Sequence, residues 1–326
     1  MTLVITGNFI LLALIVVFLG LSTIFNAFLH NTIFGGLISI LLLGFLYAYI
    51  KEWDFKVSLK FSKNDILIAS SVFGGGILTF LLNNFLGLGP VVASALVGII
   101  AAAALGKYSV PAYCGSFVGM ASSEVISPGL GIILASILAS GVFLVNKPFF
   151  NGFGGKLGAI AFSACLLTGL LSGTEFNGGA IPGLEIKALV VLYCLMGALL
   201  TNFASVKLKQ GPVLASGLIG LVAGLIIPAL FVENGGLLAS AMFCGSFVGM
   251  SSPERLVRPL LVGIAGVLAG LIYIYSLPYL GGLGGKLGTI AFSGVIGIRG
   301  LLDFYLQFLQ PRFETLEKTF SFRNFL

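Results

Sequence analysis

The chain of 326 residues carries 17 lysines and arginines, 11 carboxylates and one histidine, for a net charge of +6, yet only 9% of it is charged and 58% is apolar. A soluble domain holds roughly 25% charged residues, so this composition excludes a soluble globular enzyme, a disordered chain and a nucleic-acid-binding protein. The mean hydropathy of +1.13 and the scatter of the basic residues over short connections predict an all-α polytopic membrane protein, its lysines and arginines acting as topology signals.

A span consumes about 20 apolar residues, so about 12 spans would use most of the chain and leave no extramembrane domain. The apolar runs are continuous and do not alternate, which excludes a β-barrel. The first run, Phe9 to Leu29, is span-length and follows no basic residue, and so reads as a helix that stays in the membrane rather than a cleaved signal. A second span follows over 32–50, then the loop from Lys51 to Lys63 with four lysines. Five segments come next, over 65–84, 90–106, 110–126, 129–146 and 157–174, and five more over 186–205, 212–231, 236–253, 259–276 and 287–304. After Pro311 the chain alternates Phe313, Leu316 and Phe320 with Arg312, Glu314, Glu317 and Lys318, the pattern of an amphipathic helix lying on the membrane surface.

The two sets of five are copies. Cys114-Gly-Ser-Phe-Val-Gly-Met120 recurs as Cys244 to Met250, Gly154-Gly-Lys-Leu-Gly158 as Gly284 to Gly288, and Ile160-Ala-Phe-Ser163 as Ile290 to Ser293, all at an offset of 130 residues. Over 114–163 there are 24 identities in 50 positions. Upstream, Gly89 to Ser94 matches Gly211 to Ser216 at an offset of 122, so the second copy holds eight extra residues before its cysteine motif. The organisation predicted is two helices and a basic loop (1–63), a first repeat (64–184), a second repeat (185–304) and a tail (305–326).

Charge sets the predicted direction of the copies. If all five segments span, fourteen of the 17 basic residues share one side, Lys187 and Lys286 take the other, and Arg299 lies within the last span; if the third segment dips and returns, the split is eleven to five. An odd number of spans inverts the second copy. The reading is therefore a five-plus-five inverted repeat behind two leading helices, with both termini cytoplasmic in a cell (inner) membrane. Inverted repeats recur in secondary transporters, with the site at the midplane. Several unrelated transporter and channel families use five-plus-five plans, the urea transporters among them, and the Cys-Gly-Ser-Phe-Val-Gly-Met run is assigned to none of them.

The motifs admit structural and functional readings. Gly115-x-x-x-Gly119 and Gly245-x-x-x-Gly249 suit close helix packing or backbone exposed to a pathway, with Ser116, Ser122, Ser246 and Ser252 beside them. Gly152-x-Gly-Gly-Lys156 and Gly282-x-Gly-Gly-Lys286 are flexible turns or, if folded into the bundle, anion sites at helix N-termini; Gly154, Gly155, Gly284 and Gly285 would then touch solute, and Ser163 and Ser293 line the same path. Phe117, Phe247, Phe162 and Phe292 are apolar gates or packing. Inversion puts Glu124 on the side of Lys286 and Glu254 on that of Lys156, which predicts two cross-copy ion pairs gating alternate ends. Arg299 and Asp303, four apart, pair on one helix face.

The four cysteines all lie in apolar segments, with no CxxC spacing, so neither zinc nor a disulfide framework nor any other cofactor is expected. No nucleophile–base set appears at useful spacing, and the chain is not expected to be an enzyme. The predicted function is transport of a small solute, an anion or a compact polar neutral molecule, across the bilayer in which the chain sits. The alternatives are a channel-type facilitator of a urea-like molecule and a structural or enzymatic membrane subunit. A homo-oligomer is compatible with this; a nucleic-acid partner is not.

Overall fold

Long apolar stretches with no ladder of alternating residues leave the backbone one way to satisfy its hydrogen bonds in a membrane, the helix. The computed structural model describes residues 2–53, 61–176 and 178–310, and over these the chain is helical with no strand. Most of the lysine loop and the amphipathic tail beyond Gln310 lie outside the described residues. The helices are α1 (Thr2–His30), α2 (Thr32–Lys51), α3 (Lys63–Phe80), α4 (Pro90–Ala104), α5 (Ser109–Gly119), α6 (Leu130–Val145), α7 (Lys156–Leu171), α8 (Leu184–Asn202), α9 (Pro212–Leu230), α10 (Gly235–Gly249), α11 (Pro259–Ser276) and α12 (Lys286–Phe304).

Seven of them, α1, α2, α3, α8, α9, α11 and α12, are long and apolar enough to cross a membrane. Twelve full-length spans were expected. Five helices fall short: α4, α6, α7 and α10 have 15 or 16 residues, and α5 stops at Gly119 after 11 residues, about 16 Å at 1.5 Å per residue, with residues 120–129, rich in Ser, Pro and Gly, forming a turn before α6. The segment expected over 110–126 is thus half helix and half turn. At the other extreme, α12 runs on through a π-turn over Tyr305–Leu309, so the predicted tail begins as helix.

The surface is compatible with a membrane protein. On α1 alone Leu14, Phe18, Leu21 and Phe25 are each more than half exposed at helical spacing. Leaving one such side chain in water forfeits about 1.5–3 kcal/mol, and a stripe of them calls for lipid.

The backbone repeats as the sequence does. α3 and α8 both end in five-residue π-turns, Leu81–Phe85 and Phe203–Lys207, offset by 122. Gly89 and Gly211 take nearly the same positive φ, 78° and 77°, and each precedes a proline that opens the next helix. The eight extra residues of the second copy are now placed. α9 has 19 residues against 15 in α4, and α10 has 15 against 11 in α5: about one helical turn is added to each arm of a helical hairpin. The connecting turn keeps its length, so the motif after it stays in register.

Equivalent helices of the two copies pack antiparallel. Gly217 of α9 faces Ala95 and Ile99 of α4, while Gly224 faces Val91 and Val92. α7 and α12 cross near their N-termini: Gly155 lies on Gly288 and Phe292, Gly285 on Gly158 and Phe162, and Gly158 and Gly288 on each other. α1 and α2 form a hairpin whose two ends, at Glu52 and at His30, mark the two ends of the bundle.

Candidate functional site

The turns 146–155 and 276–285 are built alike. Phe150 and Leu280 adopt φ of 53° and 52°, Gly152 and Gly282 φ of 78° and 76°, Gly155 and Gly285 φ of 83°. Glycine is required at 155 and 285 twice over, by the left-handed backbone and because a β-carbon there would enter the backbone of the opposite copy. Gly154 has no such strain but abuts the carbonyl of Phe247, as Gly284 abuts that of Phe117. Each is bound across the copies by the turn that follows α5 or α10: Ser122 N donates to Gly282 O at 2.8 Å, and Ser252 N to Gly152 O at 2.9 Å.

Lys156 and Lys286 close these turns. Lys156 Nζ donates to Asn146 O at 2.8 Å, to Phe149 O and to Asn151 Oδ1. Lys286 Nζ donates to Ser276 O at 2.8 Å and to Tyr279 O. Each ammonium caps carbonyls left over where α6 or α11 ends. The expected pairs Glu124–Lys286 and Glu254–Lys156 are not among the ion pairs of the described residues; both glutamates are exposed and both lysines turn inward to the backbone. Carbonyls from the last residue of a helix to four beyond it are within reach of the lysine stem, whereas the glutamates sit at the tips of their turns.

The serines divide. Ser116 and Ser246 are fully buried and pair with Ser94 at 2.9 Å and Ser216 at 2.8 Å, hydroxyl to hydroxyl. Tyr113 adds its hydroxyl to Ser216 at 2.9 Å; its counterpart Phe243 has none to offer Ser94. Ser163 donates to Ile160 O and Ser293 to Thr289 O, both at 2.8 Å, within their own helices. Ser122 and Ser252 serve the cross-copy bonds through their backbone. None of these hydroxyls lines the cavity beside Lys156.

That cavity, of about 240 Å³, opens beside the exposed residues Asn151 and Gly152 at the Glu52 end. Gly154, Gly155 and Lys156 form one wall; Pro212 and Met250 of the second copy form another. Its floor is Phe117 and Phe247, equivalent residues whose rings lie 4.6 Å apart between centroids, flanked by Tyr113 and Phe243 at 4.5 and 4.4 Å. Phe162 and Phe292, also named as gates, are buried packing residues, the latter edge-on to Phe150.

Around the mouth runs a set of charges that the motifs did not disclose. Arg255 grips Glu52 with both guanidinium arms, at 2.6 and 3.2 Å, donates from Nε to Asn151 O at 2.9 Å, and stacks over the Phe153 ring at 4.2 Å. Lys147 pairs with buried Asp65, and Lys51 and Arg299 both pair with Asp303, the last as expected from their spacing. The counterpart of Arg255 is Val125, which packs on Gly282. At the His30 end the equivalent turn is covered: Gly178 lies on Pro278 and Gly179 N donates to Leu277 O at 2.9 Å.

No protein-family model, curated protein or solved structure matches this chain. The site's meaning therefore rests on its geometry. That geometry is a vestibule open at one end, closed at its floor by a pair of equivalent phenylalanines, and walled by the 146–155 turn, which Ser252 of the other copy binds.

Proposed function

We propose that the chain is a membrane transport protein that carries a small solute between two inverted five-helix repeats, preceded by two helices, in a cell membrane with both termini cytoplasmic. The observation that carries this is the vestibule whose floor, Phe117 and Phe247, comes from the same position of both copies. Two elements of like build and opposite direction give a site two arrangements of similar energy, each facing one side. The antiparallel packing of α4 with α9 and of α7 with α12 supports inversion, as does the weight of basic residues on the Glu52 side. The Glu52 end is the cytoplasmic one on this reading.

The two ends are not chemically equal. Arg255, Glu52 and Asn151 border the cytoplasmic rim with ionic and hydrogen bonds, while Val125, Gly178 and Gly179 cover the other end by apolar and backbone contacts. Opening and closing at the charged rim exchanges water for ion pairs at small net cost. The phenylalanine floor favours a carrier over an open pore. Counterflow in proteoliposomes is the test: unlabelled solute inside should drive transient accumulation of labelled solute, and monotonic equilibration alone would indicate a channel.

A further inference from the structure

The lining of the vestibule limits what can occupy it. A polar neutral molecule buried there needs donors and acceptors for each of its groups. Asn151 is the single neutral polar side chain in the wall, and both ends of its amide are engaged: Nδ2 donates to Pro148 O at 3.3 Å and Oδ1 accepts from Lys156. None of the serines expected to bind solute is among the residues that line the vestibule. A urea-like molecule would leave its amide groups unpaired.

The remaining wall is apolar and aromatic, with Phe117, Phe247, Phe150, Phe153 and Met250, and it holds two ammonium groups. Lys147 is neutralised by Asp65. Lys156 has its three protons on carbonyl oxygens and no carboxylate within ion-pairing distance among the described residues. Carbonyl partners satisfy its hydrogen bonds but leave its charge. The N-terminus of α7, which opens at Lys156, adds potential of the same sign. A bare, strongly hydrated anion would gain nothing from the phenyl walls, whereas an anion with an apolar body would use both features.

Resting on the transport reading, we infer that the solute is a small monoanion with an apolar body, of the class of short-chain and aromatic monocarboxylates. The carboxylate faces the Lys156 side of the vestibule and the apolar body lies on the Phe117–Phe247 floor. The site is held by long-range charge rather than by direct hydrogen bonds, so size and charge select the solute more than its exact shape does.

The chain's one tryptophan reports on this wall. Trp53 stacks on Phe149 at 6.3 Å, next to the lining residue Phe150. Its fluorescence in purified full-length protein should change saturably with benzoate, at least about tenfold more tightly than with the isosteric benzamide, and not with urea or chloride at matched ionic strength. Lys156→Gln keeps an amide to cap the carbonyls and removes the charge; it should bring benzoate down to the level of benzamide. Benzamide or urea binding as tightly as benzoate, no benzoate binding, or an undiminished preference in Lys156→Gln each overturns the inference. Should that variant not fold, the benzoate–benzamide comparison on the unaltered protein decides. Benzoate binding without counterflow would sink the transport reading and leave the site; counterflow of urea without benzoate binding would do the reverse.

Discussion

Gly158 and Gly288, which occupy the same position in the two copies, lie against each other where α7 and α12 cross. A contact between equivalent residues marks the place where the copies exchange roles, and Phe117 with Phe247 is the second such contact. A β-carbon on either glycine would enter the other helix's backbone. Gly158→Ala and Gly288→Ala should each cost about 1–3 kcal/mol by overpacking, and the double variant should cost less than their sum because both open the same crossing. Thermal unfolding of the purified protein in detergent checks the three values; strict additivity would place the residues apart.

The lysines that close the turns are structural clamps. Lys156→Met and Lys286→Met each strip donors from two carbonyls and should cost about 1–3 kcal/mol. Glu124→Gln and Glu254→Gln should stay within about 0.5 kcal/mol, as exposed changes do. Unfolding midpoints distinguish this from the cross-copy ion pairs that symmetry suggests, since pairs would make the glutamate and lysine variants of one end equally costly.

Arg255 and Glu52 meet with both partners about one quarter exposed. Screening holds such a pair to about 1 kcal/mol, so a double-mutant cycle with Arg255→Gln and Glu52→Gln should give a coupling of that size. Arg255→Gln also frees Asn151 and Phe153 at the mouth of the vestibule and should raise the accessibility of the 150–153 turn to a water-soluble label. A coupling near zero with unchanged labelling would remove Arg255 from the rim.

The hydroxyl pairs should respond unequally. Ser216→Ala strands the buried Tyr113 hydroxyl and should cost about 1–3 kcal/mol. In Ser94→Ala the remaining Ser116 still donates to Tyr113 O at 2.8 Å, and the cost should stay below about 1 kcal/mol. Tyr113→Phe, which makes the first copy like the second, should abolish the difference in unfolding midpoint between the two alanine variants.

Much of the frame is legible in the sequence, because duplication writes the same turn chemistry twice. Pro90 and Pro212, each after a glycine, fix the start of equivalent helices, and Gly-x-Gly-Gly-Lys fixes the turns. The helix boundaries of α6 and α7 fall within three residues of the expected segments. What stayed hidden depends on partners that a sequence does not name. Backbone carbonyls capture Lys156 and Lys286, and no residue letter announces them. Glu52 and Arg255 meet across two hundred positions, and each reads alone as a surface charge. The signal that points to the rim is a difference between the copies: arginine at 255 where the first copy has valine.

The orientation of the copies can be read directly. Ser123 and Pro253 hold equivalent, exposed positions on the turns after α5 and α10, and the four native cysteines are buried. In sealed vesicles of known sidedness, Ser123→Cys and Pro253→Cys should react with a membrane-impermeant maleimide from opposite faces, the latter from the cytoplasmic one. Labelling of both from the same face would contradict the inverted arrangement and the transport path built on it.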